Sequence, residues 1–162
     1  MLMKNTRGAI PTSTMPCEPN SQELPAGVPK DFRVFDTKSR FVRLCGPMYE
    51  KIYEDNTVGL GLLLDEQHLN QLDLAHGGIL MTLADNAMGR TLSYQSDWQT
   101  SYVTLSMNSQ FMQAAKIGEF IHAKATVQRK GRRLVFLECE ILSGDKVLFY
   151  ASATFAVMGS KK

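Results

Sequence analysis

Cysteine is scarce in this chain. Its three cysteines, Cys17, Cys45 and Cys139, stand far apart, are odd in number and form no C-x-x-C pair. Neither a disulfide framework nor a thiolate zinc site is expected, and a reducing cytoplasm is the expected compartment. Proline is nearly absent beyond the start, since five of the six stand at positions 11, 16, 19, 25 and 29. An excess of one charge is also lacking. A net charge of +2 over 162 residues offers no footprint for nucleic acid or a membrane surface. No apolar run approaches the roughly 18 residues of a membrane span. The opening MLMKNTRGAIPTSTMPCEPN has no continuous apolar region of the kind a secretory signal needs. His, Cys, Asp and Glu nowhere fall at metal-ligand spacing, so no metal is expected.

What remains is an ordinary globular composition, 44% hydrophobic and 21% charged, at a length that suits one domain with a substantial core. Residues 1–30 hold the early prolines and show no periodicity, so they are expected to form an extended arm ahead of a single domain over residues 31–162. Within that domain, DTKSRFVRLCGP predicts a short helix capped by Asp36, with Phe41, Leu44 and Cys45 on one face and Gly46-Pro47 as its stop. MYEKIYED and TVGLGLLLDE predict two strands about the turn Asp55-Asn56. Val58, Leu60, Leu62 and Leu64 share one face of the second. Gly59 and Gly61 share the other, where another backbone could approach.

Gly77 to about Tyr94 is long and apolar nearly all round, which predicts a helix inside a core. One stripe differs: Thr82, Asp85, Asn86, Gly89 and Ser93 recur at helical spacing and are small or polar. Four strand-like runs follow, YVTLSMNSQFM, EFIHAKATVQRK, RLVFLECEIL and KVLFYASATFAVM. Short turns separate them, so the last three read as an antiparallel meander. The expected fold class is α+β, with a twisted antiparallel sheet wrapped around one long central helix.

An aspartate inside an apolar helix is costly unless paired or used. Asp85 is therefore the candidate base or nucleophile. Gly77 and Gly78 fall in the first helical turn, where backbone N–H groups lack intrahelical partners and carry positive partial charge. Such donors polarise a carbonyl and stabilise an oxyanion. Yet eight residues separate Gly77 from Asp85, about 12 Å of helix, whereas reacting atoms must approach to about 3–3.5 Å. One helix cannot serve one carbonyl with both ends. Two antiparallel helices from two copies can, so an obligate dimer with two shared sites is expected.

HLNQLDLAHGGILMTLADNAMG, with its Asn, five intervening residues, His-Gly-Gly and an acid nine positions after the His, resembles the signature of hotdog-fold acyl-CoA thioesterases. The likeness is to the PaaI-like branch of the 4-hydroxybenzoyl-CoA thioesterase superfamily, and YVTLSMNSQFMQAAKIGEFIHAKATVQRKGRR extends it. It covers about residues 47–158. The resemblance implies hydrolysis of an acyl-CoA to free acid and CoA without metal or organic cofactor, by a homodimer that assembles further into a dimer of dimers. It implies Asp85 as the catalytic carboxylate, Gly78 with Gly77 as the backbone donors, Asn70 as the side chain holding the carbonyl or the water, and Thr104 as a water-positioning hydroxyl. His76 is implied to shape the helix start, and His76 and Asn86 to lie against substrate. Asp73 departs from the family, which often has glycine there.

Other residues have plainer readings. His68 is expected at the surface or in a loop, and His122 in a strand with a structural role. Arg132 and Arg133, in the run Arg129-Lys130-Gly131-Arg132-Arg133, are candidates for the phosphates of CoA, although a turn of this kind is commonly just solvated. Two rival functions share the fold. A non-catalytic acyl-CoA sensor or carrier would have no need of Asp85. A hotdog dehydratase would carry a proline-rich segment after its histidine, where this chain has Gly77-Gly78-Ile79-Leu80.

Overall fold

A computed structural model describes residues 23–160. Strand β1 is Arg33–Val34, helix α1 Arg40–Leu44, β2 Met48–Ile52 and β3 Val58–Leu63; a single 3-10 turn follows at Glu66–His68. Helix α2 is Gly77–Gln95, and β4 Thr100–Phe111, β5 Phe120–Lys130, β6 Leu134–Ser143 and β7 Lys146–Ser160 complete the chain. The strands form one antiparallel sheet in the order β1-β2-β3-β5-β6-β7-β4. The meander β5-β6-β7 follows from its short turns. The return of β4 to the far side of β7 does not, because that pairing spans three intervening turns and no local pattern encodes it.

The sheet wraps α2. Ile79, Leu80, Leu83, Ala84, Ala87, Met88 and Leu92 are buried against Leu60, Leu62, Ile121, Leu137, Ile141 and Phe149. The predicted stripe of Thr82, Asp85, Asn86, Gly89 and Ser93 stays partly exposed, as do Met81, Arg90, Tyr94 and Gln95 beside it. Thr91 breaks the apolar pattern on the buried side, and its hydroxyl ties the helix to the start of β3: it accepts from Val58 N at 3.0 Å and lies 3.3 Å from Val58 O.

Four local expectations are corrected. Ser39, not Asp36, caps α1, its hydroxyl accepting from Val42 N. The buried residue of that short helix is Val42, while Phe41 and Leu44 face solvent, because a five-residue helix offers one inward position and the chain on either side sets which. Gly59 and Gly61 admit aromatic rings rather than backbone: a Cβ on either would meet Tyr53 or Phe120 at under 3.0 Å. His68 is buried; its Nδ1 accepts from Asp65 N at 2.9 Å and its Nε2 lies 2.9 Å from Cys45 O. An acceptor role for Nδ1 makes Nε2 the donor to that carbonyl. The ring thus ties the end of α1 to the turn ahead of α2.

The arm expected over residues 1–30 lies outside the described residues up to position 22. From Glu23 onward the chain packs on the sheet, with Val28 and Phe32 buried against Tyr49 and flanked by Leu24, Leu63 and Phe120.

One buried charge holds three elements together. Glu50 on β2 is 5% exposed and binds Arg33 of β1 through one carboxylate oxygen and Arg90 of α2 through the other, each at 2.8 Å. Arg90 also lies over Phe35 and Trp98, 4.8 and 4.3 Å from the ring centroids. Replacing Glu50 by Ala leaves Arg90 unpaired where water reaches it poorly. Breaking a buried pair costs about 3–5 kcal/mol, but both arginines retain some solvent, so the expected loss is about 2–3 kcal/mol. Thermal melts should show Tm lower by about 5–10 °C, and an unchanged Tm would contradict the role.

Candidate active site

The site begins in the loop before α2. Asn70 Oδ1 accepts from Leu72 N at 2.8 Å and Leu74 N at 3.3 Å. The Asn70 backbone closes the same loop, its N donating to Leu74 O and its O accepting from Asp73 N. Asn70 therefore builds the loop with its carbonyl oxygen and keeps its side-chain N–H₂ for other partners. Asp73 sits at φ 57°. That left-handed backbone suits glycine, and Asp is among the few other residues that take it readily, which is how Asp73 occupies a position where the family often has glycine.

His76 caps the helix. Its Nδ1 accepts from Gly78 N at 2.9 Å, its carbonyl accepts from Ile79 N at 3.0 Å and its own N–H donates to His68 O at 2.8 Å. The amide of Gly78 is thus occupied. The amide of Gly77 makes no hydrogen bond to a described residue, which makes it the free donor of the first turn. Sequence spacing could not separate the two amides, because the choice depends on the rotamer of His76. Both positions leave little room for a side chain: a Cβ on Gly77 would meet Phe111 Cε1 at 2.9 Å, and one on Gly78 would meet His76 Nδ1 at 3.0 Å. Phe111 had no sequence signal as a neighbour of this site. It stands at the end of β4, edge-on to buried Phe149 with centroids 5.1 Å apart.

Asp85 lies two turns further along the partly exposed stripe. Thr104 on β4 donates its hydroxyl to Asp85 Oδ1 at 2.6 Å. One carboxylate oxygen is held by the sheet, and Oδ2 has no partner among the described residues. Asn86 is turned back onto its own helix, its Nδ2 donating to Thr82 O at 2.8 Å. The structure therefore brings together Asn70, His76, Gly77 and Gly78 at the helix start, and Asp85 with Thr104 halfway along. Within one chain the two groups remain about 12 Å apart along the axis.

Arg132 and Arg133 are exposed in the turn between β5 and β6, and neither joins the ion pairs of the described residues. Strand register relates this turn to Asp85. Thr104 pairs with Phe155, Phe155 with Val135 and Val135 with Lys130. The turn opens in the row of the Asp85–Thr104 pair, three strand spacings or about 14 Å away.

Other reactive groups are out of play. Burial pushes the Cys139 thiol up to about 12, so it remains a protonated core residue. His122 lies edge-on to Phe32, and burial lowers its pKa, with the Lys51 charge adding to the effect and Asp31 partly opposing it. Among the described residues no His, Cys, Asp and Glu cluster could hold a metal, and no helix is long and apolar enough to cross a membrane.

Comparison with known proteins places this geometry. A family model described as thioesterase superfamily matches residues 72–150. The chain is 30% identical to human acyl-coenzyme A thioesterase 13 over 106 residues, covering 65% of this chain and 75% of that protein. It is 28% identical over 128 residues to a candidate esterase of Pseudomonas aeruginosa, covering 79% of this chain and 96% of the other. The crystal structure of zebra fish thioesterase superfamily member 2 superposes with a TM-score of 0.67 at 27% identity, covering 75% of this chain and 88% of that one.

Proposed function

Because the chain belongs to the thioesterase superfamily, we propose that it hydrolyses acyl-CoA thioesters to the free acid and CoA. The observation that carries the reading is the Asp85–Thr104 pair at 2.6 Å, on the one open face of a helix whose start offers an unpaired amide at Gly77. Both halves of an acyl-transfer site are present, a carboxylate and an oxyanion donor.

The halves meet across a dimer. β4 is an edge of the sheet, twelve residues long, with Val103 and Leu105 half exposed. The other edge, β1, is only two residues long. A long edge strand with exposed apolar side chains is a template for another strand. Pairing β4 with its copy sets two α2 helices side by side and antiparallel, which brings Asp85 of one subunit to Gly77 of the other.

In that arrangement the Gly77 N–H, with the Asn70 side-chain amide, holds the thioester carbonyl. Thr104 fixes Asp85 Oδ1 and leaves Oδ2 facing the carbonyl carbon. Two routes start from this geometry. In one, Oδ2 takes a proton from a water as that water attacks the carbon, and the thiolate of CoA leaves as the tetrahedral intermediate collapses. In the other, Oδ2 itself attacks, the thiolate leaves, and water cleaves the resulting anhydride. Glycine 78 is then a helix-capping partner of His76 rather than the first oxyanion donor. Arg132 and Arg133 supply fork-shaped donors for phosphate oxygens.

A panel of acetyl-, medium-chain, long-chain and aryl-CoA substrates, followed by free-thiol release, tests the reading. At least one is expected to turn over with kcat/KM of about 10⁴ M⁻¹s⁻¹ or more. Binding of acyl-CoA with no thiol release from any of them would replace this reading with that of a carrier or sensor.

A further inference from the structure

Helix α2 carries one large apolar side chain that the fold leaves uncovered. Ile79, Leu80, Leu83, Met88 and Leu92 are buried in the core. Met81 keeps 38% of its surface exposed, more than any other residue of the helix between Gly78 and Gln95. Nothing in the hydrolytic chemistry uses it. Its place is informative, because Gly77, Met81 and Asp85 stand at i, i+4 and i+8 on one ridge of the helix. Met81 is therefore halfway between the free amide and the carboxylate, about 6 Å along the axis from each.

The shared site decides what faces Met81. Gly77 of one subunit meets Asp85 of the other, and the reverse holds at the second site. A two-fold axis that relates the two contacts passes by the midpoint of positions 77 and 85. That midpoint is position 81. In a contact between identical surfaces, the residue at the axis meets its own copy. Met81 thus lies against Met81 of the partner subunit, between the two sites, and the uncovered side chain acquires a cover.

The same symmetry gives the substrate a direction. One side of each thioester carbonyl leads out to solvent. The other leads along the helix pair toward the axis. CoA is long and carries phosphates, whose burial would be costly, so it takes the outward side. The acyl group is left with the inward side, which ends on the two methionines. Phe111 adds apolar surface at this half of the site: it is 55% exposed, and its ring lies close enough for a Cβ on Gly77 to meet it at 2.9 Å. A depth of about 6 Å suits a short acyl chain or a single aromatic ring.

We propose that the paired Met81 side chains form the common floor of both acyl pockets and set the length of the acyl group that is cleaved. A thioether chain is flexible, so longer acyl groups enter only by pushing the floor aside. Met81 touches no reacting atom, and its role is selection rather than chemistry. This assignment rests on the acyl-CoA reading and the shared-site dimer above.

Two measurements on the full chain test it. In the first, kcat/KM is compared for acetyl-, hexanoyl-, dodecanoyl- and benzoyl-CoA. Met81→Ala removes the floor from both sides at once, and the dodecanoyl-to-hexanoyl ratio should rise about tenfold or more. Met81→Phe raises the floor, and the hexanoyl-to-acetyl ratio should fall by a similar factor. Met81→Leu, which nearly conserves volume, should keep the parental profile. A merely structural role would change all substrates alike. In the second, Met81→Cys is treated with a short thiol-to-thiol cross-linker and should give a covalent dimer that the parental chain does not give. A length profile unchanged in both Met81→Ala and Met81→Phe, or no cross-link through position 81, overturns the proposal. If no thioester is cleaved, the same length preference is read from the Kd of each acyl-CoA, so the hydrolytic reading falls while the floor is still judged.

Discussion

Asp85→Asn is expected to lower kcat by about 10²–10⁴-fold, the range for removing one acid–base group, and to leave Tm and the state of assembly unchanged. The substitution is close to isosteric, and its side-chain oxygen can still accept the Thr104 hydroxyl that now sits 2.6 Å from Oδ1. What it removes is the charge and basicity of Oδ2. The readout is thiol release at saturating acyl-CoA. An Asn variant with more than about a tenth of the parental kcat would exclude both the base and the nucleophile roles. Single turnover in ¹⁸O-water then tests the nucleophilic route. Label in the Asp85 side chain identifies an anhydride opened by water at the aspartyl carbonyl, whereas attack of water on the acyl carbon, of the thioester or of the anhydride, places the label in the released acid.

The second large effect concerns one amide hydrogen. Gly77→Pro removes the N–H of the first helical residue and, like any side chain there, places a Cβ against the Phe111 ring. Proline is well suited to that position, and His76 already has φ −64° and ψ 135°, the extended backbone that a residue before proline prefers. Gly77→Ala is the control, since it adds a Cβ against the half-exposed Phe111 ring but keeps the N–H. The proline variant is expected to lose about 10²–10³-fold in kcat, as for deletion of one oxyanion donor, and the alanine variant clearly less. Equal losses would assign the effect to Phe111 crowding instead. Mixing Gly77→Pro with Asp85→Asn extends the test to assembly. In a shared-site dimer, half of the reassorted molecules are hybrids with one undamaged site of two, so about a quarter of the sites recover. Two sites each built within one chain would recover none.

Much of the architecture was legible because its signals are local. Alternation across the last three strands sets which face is buried, and a one-residue slip would invert it. The breadth of the apolar surface on Gly77–Gln95 places that helix inside the sheet. The candidate residues Asn70, His76-Gly77-Gly78 and Asp85 were legible as a pattern, but the contacts each one makes were not. Gly78 looked like the leading donor until the His76 ring was seen to occupy its amide. His68 looked peripheral because a histidine that follows the polar run Asp65-Glu66-Gln67 has no pattern that reports burial. The Glu50 carboxylate was invisible for the same reason, since its partners Arg33 and Arg90 are distant in sequence and meet it only when β1, β2 and α2 come together.

By itself, the sequence determined a geometric limit. A rise of about 1.5 Å per residue over eight positions keeps Gly77 and Asp85 of one chain apart whatever the rest of the fold does. That limit is local and covalent, so it can be read without coordinates. Only the tertiary structure decided which amide is free, which strand forms the long open edge beside Asp85, and that the basic turn at Arg132 and Arg133 lies in the row of Thr104. Those outcomes depend on side chains and strands that meet across long stretches of chain, and packing, not periodicity, selects among the pairings that the same pattern allows.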